Sequence, residues 1–156
     1  VSKLKGGTKS LSFDEDEIDS LLYYGYGEAY TYSVLAFLYP TLDFRNKFHQ
    51  DHIFPKKMFT RTRLLKAGIK DDEIDFFMEK FNSLANLQLL EGIPNQEKSG
   101  KDFDTWLAEK YPSAAGRRDY KIKHYIPDID LSIANFREFI EKREKLLIKA
   151  FRNLLT

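Results

Sequence analysis

The stretch His49–Phe59, "HQDHIFPKKMF", places two histidines and an aspartate within four residues, then a proline, then two lysines. With Phe48 in front, His49, Asp51 and Ile53 alternate against Phe48, Gln50, His52 and Phe54, and Pro55 closes the run. A period of two predicts a short strand or strand end here. The residue chemistry is equally dense. Histidine takes a proton near neutral pH, and a carboxylate suits a hard divalent cation. A base beside a metal ligand is what hydrolysis of an unreactive ester requires, because one deprotonates water while the cation stabilises developing charge. His52 and Asp51 offer that pair. The plainer reading is a surface dipeptide before a proline, and on these residues alone the plainer reading wins.

Upstream, Ser12 followed by Glu15 makes a capping-box pattern ahead of Ile18, Leu21 and Leu22, and predicts a helix from about Ser12 to Tyr24 with Gly25 as its stop. A second, largely buried helix is expected over Glu28–Leu38, ending at Pro40. Downstream, Leu64 and Leu65 before Gly68, then Ile74, Phe77, Met78 and Phe81 after the acidic start at Asp71 and Asp72, predict two short helices between Phe59 and Ser83. "ANLQLLEG" (Ala85–Gly92) reads as a brief strand, and the chain after it as a loop opening into helical material. From Ser132 the series Ile133, Phe136, Ile140, Leu147, Phe151 and Leu154 keeps one apolar face, so a long amphipathic helix is expected there, with its interior charges on the wet side.

The 156 residues suffice for one domain with a real core but are short for two. A 42% hydrophobic and 31% charged balance argues against wholesale disorder. No cysteine is present, which excludes disulfides and a thiolate zinc site and leaves the cytoplasm as the expected setting. The most apolar segment, Leu21–Tyr39, is broken by Gly25, Gly27 and Glu28, so no membrane span is expected. Net charge is only +1. Its distribution is more telling, since Lys56, Lys57, Arg61, Arg63 and Lys66 run without an intervening acid. Such a run is most often a solvated face, and alone it does not argue for phosphate binding.

Two asparagines decide between the readings. Asn86 lies in "LANLQLL" and Asn95 in "GIPNQEKSG", nine residues apart across the expected strand. The order "DHIFP", "NLQLL", "NxxK" resembles the HNH nucleases of the His-Me finger (ββα-metal) superfamily. Within that group, "FHQDHIFPKKMF" with "LANLQLLEGIPNQEKSGKDFDTWL" is similar to the C-terminal nuclease domain of GmrSD-type, modification-dependent restriction endonucleases. The similarity runs over Phe48–Pro55 and Ser83–Trp106, is weaker over Leu21–Pro40, and stops after Tyr111.

The resemblance implies an α+β fold: a small ββα-metal core with a short antiparallel hairpin, wrapped by several helices. In it His52 takes the general-base position, with its ring open to solvent and substrate, Asp51 a metal-ligand position, and Asn95 the helix-borne second ligand. Asn86 takes the central position that ties the hairpin loop together and orients the base. Lys98 would meet a phosphate oxygen, or else be a solvated helix lysine. His49 shares a strand face with Asp51 and would either add a ligand or be a hydrogen-bonded surface histidine, with the second favoured. Lys56, Lys57, Arg61 and Arg63 would hold the DNA backbone. One divalent ion is implied, Mg²⁺ first and Mn²⁺ second. Residues 1–45 would be N-terminal helices, 46–106 the core, with 61–82 as a helical insertion beside the site, and 107–156 a C-terminal helical extension. The chain reads as a fragment of a larger bacterial restriction or phage-defence protein, whose N-terminal nucleotide-dependent domain would be its partner. Two other readings stand beside the DNA endonuclease: a non-cleaving nucleic-acid-binding or regulatory module with an HNH-like fold, and a helical interaction domain that leaves the asparagine spacing unexplained.

Overall fold

The computed structural model describes residues 13–92 and 98–156, together with the backbone of a small antiparallel ribbon, β1 (Leu4–Lys5) with β2 (Thr8–Lys9). Ser12 and Asn95 lie outside the described residues. The first helix, α1 (Glu15–Ser20), is capped by Asp14 rather than Ser12. Asp14 Oδ1 accepts from the Glu17 amide at 2.8 Å, and the Glu17 carboxylate accepts from the Asp14 amide at 3.0 Å. The sequence holds two overlapping capping patterns, and the second also puts Glu15, Asp16 and Glu17 in the first turn, where they complement the helix dipole. A 3₁₀ turn over Leu21–Tyr23 ends this segment.

Helix α2 (Thr31–Ala36) is shorter than the expected Glu28–Leu38. The residues before it are drawn elsewhere: Gly25 bridges Ser83, and the Tyr26 amide donates to the Asn82 carbonyl at 2.8 Å. Gly27, at φ 80°, turns the chain back from that contact.

Strand β3 (Phe48–His52) follows, then a 3₁₀ turn (Lys56–Met58), α3 (Arg61–Lys66), α4 (Ile74–Lys80), a 3₁₀ turn (Leu84–Asn86) and β4 (Leu87–Glu91). Strands β3 and β4 pair antiparallel from Phe48↔Glu91 to His52↔Leu87, with Asp51 opposite Gln88. The first four residues of β4 are buried on both faces, which accounts for its near-continuous apolar sequence. The chain closes with α5 (Phe103–Lys110), α6 (Ala114–Lys123) and α7 (Phe136–Leu155). The molecule is thus mixed helix and strand, with one central antiparallel pair among helices.

The core is aromatic. Phe54 and Phe59, just past β3, meet Phe136 and Phe139 of α7 at 4.8–5.2 Å between ring centres, and Phe77 of α4 joins Phe136 at 5.1 Å. The segment between the strands is therefore part of the core and not a decoration on it.

Arg143 corrects the expectation that the interior charges of the last helix are its wet face. It falls seven residues after Phe136, on the apolar stripe, and is 0% exposed. Its Nη1 donates to the carbonyls of Leu84, Ala85 and Leu87 at 3.2, 2.8 and 2.7 Å, and Nη2 to that of His124 at 3.1 Å. Burial lowers its pKa to about 10, which leaves it charged at neutral pH.

His124, at the end of α6, is also buried. Its Nδ1 shares a 2.8 Å hydrogen bond with the Tyr39 hydroxyl, and its ring stacks on Tyr120 at 4.1 Å. Burial, helped by Lys123 and Arg143, lowers its pKa to about 3, against about 6.5 in an unfolded chain. Below pH 6.5 the unfolded chain therefore binds a proton that the folded one refuses, and stability falls as pH drops toward 3. Urea unfolding of wild type and His124→Gln should show the wild-type advantage shrinking by up to about 1.4 kcal/mol per pH unit across that window. A difference that stays flat would mean that His124 is charged in the folded protein.

Candidate active site

His52 is the last residue of β3, where the pleat ends before Ile53, Phe54 and Pro55 turn away. Its Nε2 lies 2.7 Å from Asn82 Oδ1. With the amide oxygen facing the ring, Nε2 carries the proton and Nδ1 is left as the basic nitrogen. Tyr26 packs over the imidazole at 4.5 Å and Phe81 stacks at 6.2 Å. Burial holds the His52 pKa below its ordinary value, against the opposing pull of Asn82 and Asp51, so the free base predominates at neutral pH. The expectation of a ring open to solvent is corrected: His52 is 8% exposed.

Asn86 explains how both partners of that hydrogen bond are placed. Its Oδ1 accepts from the Phe54 amide at 2.9 Å, and its Nδ2 donates to the carbonyls of Phe54 at 3.1 Å and Phe81 at 2.8 Å. Its own carbonyl accepts from the Ile53 amide at 2.8 Å. One buried residue, through side chain and carbonyl, thus ties the two residues just after His52 to the residue just before Asn82. The stretch 61–82 is not wholly beside the site, since its final residue orients the imidazole. Asn82 is legible in the sequence only as a second asparagine in "FNSLAN", four residues before Asn86.

Asp51 points to the other face of the strand. Its Oδ2 accepts from Gln88 Nε2 at 2.9 Å and faces Lys98 Nζ at 3.2 Å. Lys98 also donates to the His52 carbonyl at 2.6 Å and is 1% exposed. Burial pushes the Asp51 carboxyl up and the Lys98 ammonium down, each toward neutrality, and their mutual attraction opposes both shifts. Lys98 is accordingly not a solvated helix lysine, and its ammonium points inward at Asp51 rather than out toward a ligand.

The remaining candidates are spread wider. His49 sits two residues from Asp51 on the same strand face, beside Gly92, where an added Cβ would come within 3.6 Å of His49 Nε2. Lys56 and Lys57 are exposed, and the Lys57 stem crosses Gly100, where a Cβ would come within 3.1 Å of it and φ is 77°. Arg61 is paired with Asp71, and Arg63 Nη1 donates to the Lys57 carbonyl at 2.7 Å. The basic run therefore sets two exposed lysines next to two engaged arginines. Among the described residues no three His, Cys, Asp or Glu side chains converge as a metal cage. The hydrogen bonds of Asp51 fall on Oδ2, and Oδ1 carries none among the described residues, which suits a hard cation.

Compared with known protein families and with curated proteins, the chain matches no family model and no curated protein. Among the described residues no helix is long and apolar enough to cross a membrane.

The role of Asn82 is open to direct measurement. Nitrogen NMR of the wild-type imidazole should report His52 as the Nε2–H tautomer near neutral pH, and Asn82→Ala should release it to a mixture of tautomers. An unchanged tautomer in the variant would remove Asn82 as the orienting group.

Proposed function

We propose that the chain is a metal-dependent DNA endonuclease of the HNH type, hydrolysing phosphodiester bonds as the nuclease part of a bacterial restriction or phage-defence protein. The observation that carries this reading is the His52 imidazole, neutral and held at Nε2 by Asn82, with Nδ1 unprotonated at a strand end that Asp51 precedes by one residue on the opposite face. Such a base takes a proton from water as the water oxygen attacks phosphorus in line. The P–O3′ bond then breaks, and the departing oxygen takes its proton from solvent. Asp51, through Oδ1, and Asn95 are the residues that would hold the ion. When bound, a divalent ion supplies charge neutralisation at the phosphate and the departing oxygen. Lys56 and Lys57 are the exposed cations for the DNA backbone.

A non-cleaving nucleic-acid-binding module is the second reading, favoured by the Lys98 ammonium that already neutralises Asp51. Plasmid nicking with Mg²⁺ and with chelator, on wild type and His52→Ala, separates the two. The nuclease reading expects metal-dependent nicking that falls about 10² to 10⁴-fold in His52→Ala, the usual worth of a positioned general base, with DNA affinity retained. DNA bound but uncut by wild type would favour the second reading, and nicking retained by a folded His52→Ala would overturn the role of His52.

A further inference from the structure

The strand pair carries a second polar chain, behind Asp51, that the proposed reaction does not use. Gln88 stands directly opposite Asp51 in the register and is 0% exposed on a strand whose other buried residues are all leucines. A leucine there would fill the same space without the cost of burying an amide. The amide is engaged at both ends: Nε2 donates to Asp51 Oδ2 at 2.9 Å, and Oε1 accepts from the Tyr120 hydroxyl at 2.6 Å. The carboxylate fixes which end faces which partner. An ionised carboxylate only accepts, so the NH₂ group faces Asp51, and the Tyr120 hydroxyl, able to donate, meets the Oε1 left on the other side. Tyr120 is itself held, stacked on His124 at 4.1 Å and set against Tyr111 at 5.3 Å and Trp106 at 5.6 Å. Tyr120, Gln88, Asp51 and Lys98 therefore form one continuous buried series.

We infer that Gln88 and Tyr120 are positioning residues that aim the Asp51 carboxylate, so that the Tyr120 hydroxyl governs the site's affinity for a divalent cation through the Gln88 amide. This rests on the reading of Asp51 as a cation-binding carboxylate. Outer hydrogen-bond partners of metal ligands typically change affinity by about 10 to 100-fold when removed. The test is Mn²⁺ titration calorimetry on the full chain as wild type, Asp51→Asn, Tyr120→Phe and Tyr39→Phe. Tyr39 is the matched control: its hydroxyl is likewise buried and hydrogen-bonded, to His124 Nδ1 and to the Leu89 backbone amide, but to no side chain of the series. Tyr120→Phe should weaken Mn²⁺ binding about tenfold or more, while Tyr39→Phe stays within about twofold of wild type. Equal losses in the two tyrosine variants would make the effect structural and overturn the inference. Unchanged affinity in Tyr120→Phe, with binding lost in Asp51→Asn, would overturn it while leaving Asp51 as the ligand. A wild type that binds no Mn²⁺ would remove the cation reading of Asp51 and the inference together.

Discussion

Everything at the centre of this molecule depends on how the turn Leu84–Leu87 is gripped. From one side the buried Arg143 guanidinium collects the carbonyls of Leu84, Ala85 and Leu87, and from the other the Asn86 side chain binds Phe54 and Phe81. A guanidinium without a carboxylate partner is costly to bury, with a desolvation penalty of several kcal/mol for a lone ion. It is tolerated because four carbonyls accept from it, and hydrogen bonds to a charged donor are worth about 1.5–3 kcal/mol each. Removing the guanidinium would take a donor from each of these carbonyls, of which Leu84 alone keeps another among the described residues, the Leu87 amide. The long terminal helix is thereby fixed by specific hydrogen bonds as well as by its phenylalanines.

That grip reaches the candidate site by short steps. Asn86 places Phe54, and His52 is two residues before it. Asn86 also places Phe81, and Asn82 is the next residue. The hydrogen bond between His52 and Asn82 thus has both its ends set by one side chain. Lys98 adds a hold on the His52 carbonyl, so backbone and ring are separately restrained. The ring is thus held in one orientation before any ligand arrives, which is the preorganisation that the proposed role as proton acceptor would need. The covering Tyr26 ring keeps the imidazole dry enough to stay neutral.

Much of this is legible in the residues. The alternation through Phe48–Phe54 and the stop at Pro55 give β3, the apolar run after Asn86 gives β4, and the period of Phe136, Ile140, Leu147 and Phe151 gives α7. His52, Asp51 and Asn86 come forward only through the resemblance carried by "DHIFP" and "NLQLL", since on the residues alone the plainer reading wins. What stays hidden is pairing across long separations. Gln88 meets Asp51 from 37 residues away, and Tyr120 meets Gln88 from 32. Neither distance leaves a local mark. Arg143 defeats the habit of assigning helix charges to water, although its position on the apolar stripe points inward. Helix α6 gives no apolar stripe at all, since Tyr120 is its one buried residue.

If water, a base and a cation meet one phosphate at the end of β3, their geometry dictates which bond breaks. The most direct measurement is end-group analysis of DNA cut by the wild-type chain in Mg²⁺. In-line attack by water with departure of the 3′-oxygen predicts 5′-phosphate and 3′-hydroxyl ends. Ends carrying a 3′-phosphate, or DNA left intact in both Mg²⁺ and Mn²⁺, would contradict it.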